Sequence, residues 1–153
     1  MSQVAKYSYG MFCSDIKHIT QSIKESGYEI DLIVALTRGG LIPGVALSHA
    51  LDKPMMTMQW NSKGDNKFES SLKAIIKKKK QNILIVDDIC DRGTTLTSLF
   101  DYVRNYICEP DMSKIKVAAL VNYFKAPICN YTGLYDFAHI NQPWVEFFWE
   151  TLE

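Results

Sequence analysis

The stretch from Ile83 to Thr95, ILIVDDICDRGTT, constrains this chain more than any other. An apolar run, Ile83 to Val86 with Ile89 beyond it, is interrupted by adjacent carboxylates at Asp87 and Asp88. Such a run reads as a parallel strand buried on both faces, with the carboxylates where strand becomes loop. A turn, Cys90-Asp91-Arg92-Gly93, leads into Thr94-Thr95-Leu96-Thr97-Ser98-Leu99-Phe100, which reads as a helix start. In open α/β sheets, ligands bind at the carboxyl ends of the strands.

The residue types at this junction select the ligand. A glycine turn before a hydroxyl-rich helix start can aim backbone N–H groups and the Thr94, Thr95 and Thr97 hydroxyls at one point, and that point favours an anion such as phosphate. Asp87 and Asp88 would repel the phosphate itself. They suit sugar hydroxyls, or a hydrated Mg²⁺ that prefers carboxylate oxygens. A phosphorylated sugar satisfies both ends. A plainer reading, in which the carboxylates only close the strand and cap the turn, suits one acidic residue better than Asp87, Asp88 and Asp91 followed by Gly93 and paired threonines.

Val86 to Thr95, V-D-D-I-C-D-R-G-T-T, resembles the phosphoribosyl-pyrophosphate signature of the type I phosphoribosyltransferases, above all the xanthine-guanine and hypoxanthine enzymes. Leu36-Thr37-Arg38-Gly39-Gly40-Leu41-Ile42-Pro43-Gly44 is similar to that family's pyrophosphate loop. Tyr123-Phe124-Lys125-Ala126-Pro127 resembles its purine-recognition lysine segment, and Trp144-Val145-Glu146 with Trp149-Glu150 its base-stacking tail. The resemblance implies an α/β fold: a single type I phosphoribosyltransferase domain over 1–153, with a central, mostly parallel sheet flanked by helices. It also implies a flexible hood loop at about 60–73 and a base-binding segment at about 124–150.

Composition bounds the answer independently. A chain of 153 residues with 47% hydrophobic content can bury one substantial core. Lysine plus arginine equals aspartate plus glutamate at 17 each, so no global field draws the protein to nucleic acid or an anionic membrane. Any phosphate preference must be local. Cys13, Cys90, Cys108 and Cys129 show neither C-x-x-C spacing nor a paired histidine cluster, which argues against zinc and against a disulfide framework. The N-terminus lacks an apolar signal core, and no run approaches the roughly 20 apolar residues of a membrane span. A soluble protein of the reduced cytoplasm is expected.

Along the chain, Ser14 is placed to cap a helix carrying Ile16, Ile19 and Ile23, with Gly27 as its stop. Ile30 to Leu36 reads as a strand, and Thr37-Arg38-Gly39-Gly40 as a loop opening a helix over Leu41 to Leu51. Paired glycines let backbone approach a ligand closely, and Arg38 offers a forked donor to phosphate oxygens. Pro54 to Trp60 suits a strand, whereas Asn61 to Lys67 is polar and rich in turn formers. Lys77 to Lys80 reads as a solvated run. Leu96, Leu99, Phe100 and Val103 predict an amphipathic helix to about Ile107, followed by strands over Ile115 to Val121 and Leu134 to Ile140. Alternating strands and helices predict a parallel sheet. Phe147, Phe148 and Trp149 read as core or oligomer interface, and His18, His49 and His139 show no ligand spacing.

The resemblance implies displacement of pyrophosphate from C1 of phosphoribosyl pyrophosphate by a ring nitrogen of a 6-oxopurine (guanine, xanthine or hypoxanthine), in purine salvage. The implied catalytic residues are Asp91, Asp87 and Asp88, with Asp91 taking or relaying the base proton. The implied sugar-phosphate contacts are Thr37, Arg38, Gly39, Asp87, Asp88, Asp91, Arg92, Gly93, Thr94 and Thr95. Lys125, Trp144 and Val145 would hold the base. Asp87, Asp88 and Glu146 would hold Mg²⁺ or its waters, and Lys63, Lys67 and Lys73 are hood candidates for pyrophosphate. Arg92 stands where these enzymes carry threonine or serine; a guanidinium there either substitutes by charge or swings outward. Two alternatives remain: a regulator resembling the RNA-binding controllers of pyrimidine operons, and a nucleotide-binding protein with little or no catalysis. The neutral charge disfavours nucleic acid as a partner, and the small size and aromatic tail favour a homodimer or homotetramer.

Overall fold

The computed structural model describes residues 3–60, 81–106, 112–137 and 143–152. The expected hood at 60–73, the lysine run, Cys108 and His139 lie outside the described residues, save Trp60.

Five parallel strands form the main sheet: β2 (Leu32–Leu36), β3 (Met55–Met58), β4 (Ile83–Cys90), β5 (Ile115–Asn122) and β6 (Tyr131–Thr132), in the order β3-β2-β4-β5-β6. The apolar runs are continuous because both faces of the sheet are covered. Ile33, Leu84, Val86 and Leu120 pack on one side with Phe12, Ile19, Ile23 and Leu47, from helices α1 (Tyr9–Ser26) and α2 (Leu41–Leu51). Val34, Ile85, Val117 and Ala119 pack on the other with Leu96, Leu99 and Val103 of helix α3 (Thr94–Tyr106). Each of the larger of these side chains, valine, leucine, isoleucine or phenylalanine, contributes about 1.5–3 kcal/mol when fully buried.

A second sheet has two parallel strands, β1 (Val4–Tyr7) and β7 (Trp144–Phe147), paired from Val4↔Trp144 to Tyr7↔Phe147. Asp15 of α1, fully buried, joins the two sheets. Its carboxylate accepts a hydrogen bond from the Tyr7 hydroxyl and another, at 2.6 Å, from the Leu134 N–H just after β6. Burial holds the Asp15 carboxyl above its ordinary value, while those two donors pull it back.

Several expected boundaries shift. Ser8, not Ser14, caps α1, accepting from the Met11 N–H at 3.2 Å; Ser14 lies inside the helix and bonds the Gly10 carbonyl. Gly27 ends α1 in a left-handed conformation, as its position predicts. Residues 134–137, expected to begin a strand, are irregular, and the neighbouring strand is Tyr131–Thr132. Its sheet edge is held by Asn130, which accepts from the Val117 N–H at 2.9 Å. No helix among the described residues is long and apolar enough to cross a membrane.

The strand order places the site. From β2 the chain crosses to β3 on one side, and from β4 to β5 on the other, so the order reverses between neighbouring β2 and β4. A crevice opens at such a switch point. The two loops leaving it are Thr37–Gly40 and Asp91–Gly93.

Candidate active site

Asp87 and Asp88 lie near the carboxyl end of β4, half-buried beneath the switch point. The Asp88 N–H donates to Asp87 Oδ1 at 2.9 Å, and the Ile89 N–H to Asp88 Oδ1 at 2.7 Å. Burial, reinforced by the charge of Asp88, pushes the Asp87 carboxyl up to about 8. Burial raises Asp88 as well, with repulsion from Glu150 adding to it. Neighbouring carboxylates with so little solvent cannot both ionise cheaply without a cation.

Gly39 explains how the second loop reaches them. A Cβ built there would lie 2.1 Å from Asp88 Oδ2, so only glycine lets the Arg38-Gly39 backbone press against that carboxylate. The Thr37–Arg38 peptide is cis. Thr37 does not line the adjoining cavities; its N–H is taken by the Met58 carbonyl at 2.9 Å.

A small cavity of about 180 Å³ is lined by Asp87, Asp91, Arg92, Gly93, Thr94 and Thr95, among others. Gly93, at φ 77, turns the chain into α3, whose first residues carry the paired threonine hydroxyls. Unpaired N–H groups at a helix start, beside hydroxyls, form an anion cradle. A larger cleft of about 1180 Å³ lies next to it, lined by Arg38, Gly39, Asp88, Tyr123, Phe124, Trp144 and Glu150 among others. Ile89 and Asp91 line both cavities. The cleft is aromatic on one side, and the Trp144 ring is 63% exposed to it and to solvent.

The base-side residues divide. Trp144 and Val145 line the cleft, but the Val145 N–H already donates to the Tyr123 hydroxyl at 3.1 Å. That hydroxyl in turn donates to the Pro143 carbonyl at 2.7 Å, tying the end of β5 to the start of β7. Lys125 is not among the cleft residues. At φ 49 it turns away, largely exposed, with Nζ 3.9 Å from Asp136 beside a separate shallow cavity. Glu146 is absent from the cleft lining too, because its carboxylate pairs with Lys6 across the β1–β7 register. Glu150, besides Asp88 and Asp91, puts a carboxylate on the cleft wall, where it accepts from the Phe147 N–H at 2.9 Å. Among the described residues no cluster of three or more histidine, cysteine or acidic side chains is poised to cage a metal.

The bracing role of Tyr123 escapes sequence reading, which had only its place at the head of the Tyr123–Pro127 segment, one residue beyond β5. Arg92, for which the sequence left two arrangements open, lies with its guanidinium carbon 5.3 Å from the centre of the Phe124 ring.

Residues 8–151 match the family model described as the phosphoribosyl transferase domain. The chain belongs to that family. Its architecture is that of a type I phosphoribosyltransferase. This phosphoribosyltransferase is similar to a purine phosphoribosyltransferase from Pyrococcus horikoshii Ot3, at 25% identity and a TM-score of 0.74, over 99% of this chain and 96% of that one. It shares its fold with a hypothetical protein from Neisseria gonorrhoeae with bound ppGpp, at 20% identity and a TM-score of 0.73, over 100% and 92% of the two chains. The same holds for the Helicobacter pylori xanthine-guanine-hypoxanthine phosphoribosyltransferase, at 22% identity and a TM-score of 0.69, over 97% and 95%.

Proposed function

We propose that this phosphoribosyltransferase moves the 5-phosphoribosyl group from phosphoribosyl pyrophosphate to a 6-oxopurine, guanine, xanthine or hypoxanthine, in cytoplasmic purine salvage. One observation carries the reading: Asp91 lines both an anion cradle and an aromatic cleft, so one carboxylate reaches a sugar phosphate and a flat base together. The purine phosphoribosyltransferase from Pyrococcus horikoshii, 25% identical over nearly the whole chain, supports a purine as the base.

In the reaction, a ring nitrogen of the base forms a bond to C1 of the ribose as the C1–O bond to pyrophosphate breaks. The electron pair leaves with pyrophosphate. The 5′-phosphate sits on the backbone of Asp91 to Thr95, and Arg38 donates to the leaving pyrophosphate from the Gly39 loop, with Thr37 behind it. Asp87 and Asp88 accept from the ribose hydroxyls. Asp91 takes the proton released from the purine ring. Trp144 stacks on the base, Val145 lines its edge, and Lys125 reaches its 6-oxo oxygen by turning in from Asp136. Holding base and sugar in line converts an encounter into a unimolecular step, a large part of the rate.

The donor set also fits Mg²⁺. That ion keeps several waters and takes only one or two carboxylates, which matches the Asp87–Asp88 pair and the lack of a larger cluster among the described residues. The raised carboxyls are the mark of a pair suited to a cation. When bound, Mg²⁺ supplies charge neutralisation for the leaving pyrophosphate. Glu146 would join only by giving up Lys6. A homodimer or homotetramer is the proposed assembly.

A second reading, nucleotide binding with little or no turnover, is favoured by Arg92 lying over Phe124 and by Lys125 lying outside the cleft. The ppGpp held by the Neisseria protein is compatible with it. Pyrophosphate release separates the two, measured with phosphoribosyl pyrophosphate and Mg²⁺ and with guanine, xanthine, hypoxanthine, adenine or uracil supplied singly. Release with a 6-oxopurine alone is expected. Release only with adenine or uracil overturns the roles given to Lys125 and Trp144, and release with none favours the second reading.

A further inference from the structure

We infer that Tyr123 is a positioning residue that fixes the distance between the phosphate side of the cleft and the stacking ring of Trp144. Its backbone is anchored to the end of β4, and its hydroxyl holds the chain on both sides of Trp144. For what stacks on that ring, the inference rests on the purine reading above.

The anchor is the Tyr123 N–H, which donates to the Cys90 carbonyl at 3.0 Å, one residue before Asp91. From there the side chain, only 8% exposed, crosses to the small sheet. Its hydroxyl donates to the Pro143 carbonyl at 2.7 Å and accepts from the Val145 N–H at 3.1 Å, so the two bonds bracket Trp144. Strand β7 is paired only with β1. The Trp144 and Phe148 N–H groups face that side, donating to the Gln3 and Tyr7 carbonyls at 3.0 Å each, so by alternation the polar groups of Pro143 and Val145 face the other way. On that open edge the Tyr123 hydroxyl does what a residue of an adjoining parallel strand would do, giving one hydrogen bond and taking another from the residue two positions on.

Trp144 depends on this support. Its ring is 63% exposed, and among the described residues no aromatic ring packs on it. A ring so placed is aimed by its backbone. Without the hydroxyl, β7 stays paired to β1 on one side and is open on the other, and Trp144 no longer keeps a set distance from Asp91. Attack at C1 tolerates a misplacement of about 1 Å poorly.

Tyr123→Phe keeps the ring and the backbone anchor and removes only the hydroxyl; it is compared with Trp144→Ala and with the double variant. With the accepted purine, kcat/KM for the base should fall about tenfold in Tyr123→Phe. Added to Trp144→Ala, the same change should cost less than about twofold, because no ring is left to position. Calorimetry with phosphoribosyl pyrophosphate and Mg²⁺, without a base, should give Tyr123→Phe the wild-type affinity within about twofold, which also shows the variant folded. A merely structural role lowers kcat/KM equally in both backgrounds. That result, an unchanged kcat/KM in Tyr123→Phe, or a loss of sugar-phosphate binding overturns the inference. Fluorescence depolarisation of Trp144, taken as the difference from Trp144→Phe with and without the Tyr123 hydroxyl, needs no base. Faster depolarisation in Tyr123→Phe is expected, and an unchanged decay overturns the inference. A wild type that turns over no purine, with the faster decay present in Tyr123→Phe, overturns the purine reading and leaves the positioning of Trp144 standing.

Discussion

The phosphate side and the base side of this cleft are built differently. The phosphate side is one continuous piece of chain: β4, a three-residue bend and the start of α3, on the central strand of the main sheet. The base side is assembled from Tyr123 after β5 and Trp144 to Glu150 in and after β7, a strand whose partner, β1, is at the other end of the chain. Chemistry that must be held against strong repulsion sits where the backbone is fixed by neighbours on both sides. The aromatic wall sits on a frame of only two strands, drawn from opposite ends of the chain. Four variants sharpen or break this contrast.

Asp88→Asn should have the largest effect. The amide fills the same space against Gly39 but cannot carry the charge, and turnover is expected to fall by about 10³-fold with folding intact. A decrease of less than tenfold would remove the carboxylate pair from the mechanism.

Next comes the acid–base cost of that pair. Asp87 stands at about 8 in the fold against an ordinary 3.8, so folding takes up a proton between those values. The contribution to stability is fully present below about pH 4 and is lost as pH rises through about 8. Thermal melts from pH 4 to 9 should show this decline. Asp87→Asn should abolish most of it, and Mg²⁺ should raise the melting temperature at pH 8.5 but not at pH 4.5. A flat profile in the wild type would contradict the assignment.

Tyr7→Phe probes the other side. It leaves the buried Asp15 carboxylate without one donor at the junction of the two sheets, costing about 1–3 kcal/mol by chemical denaturation. The KM of the base should rise while that of phosphoribosyl pyrophosphate stays constant, and equal shifts in both would break the contrast. Glu146→Gln should have the smallest effect. It loses an exposed pair with Lys6 worth about 0–1 kcal/mol, and the Mg²⁺ dependence of the rate should stay within about twofold of wild type. A large change in that dependence would return Glu146 to the metal site.

The same contrast decides what could be read from the chain before its structure. The phosphate side was legible because each of its cues is local: an apolar run, carboxylates at its end, glycine and paired threonines within thirteen residues, all on one strand–turn–helix unit. The β2 strand and the glycine loop after it were legible for the same reason, and α2 matches its expected span, Leu41 to Leu51. The base side was legible only in part, at Trp144 and Val145. Val4 to Tyr7 is too short to announce a strand, and it becomes one only by pairing with a segment 140 positions away. That register sets Lys6 beside Glu146 and leaves Glu150 on the cleft wall, a choice between two carboxylates that no local pattern makes. Lys125 was placed by its neighbours in sequence, but its turn at φ 49 points it to Asp136. Ser14 and Ser8 are both sound caps on composition, and Tyr7 entering β1 selects Ser8 by ending the strand one residue before it.

The most direct test of this division is binding of phosphoribosyl pyrophosphate with Mg²⁺, measured by calorimetry without a base, on the wild type, Asp88→Asn and Trp144→Ala. Wild type and Trp144→Ala should bind alike and Asp88→Asn at least about tenfold more weakly, since Trp144 is exposed and distinct from the cradle. Trp144→Ala weakened as much as Asp88→Asn, or a wild type that does not bind at all, would contradict the account.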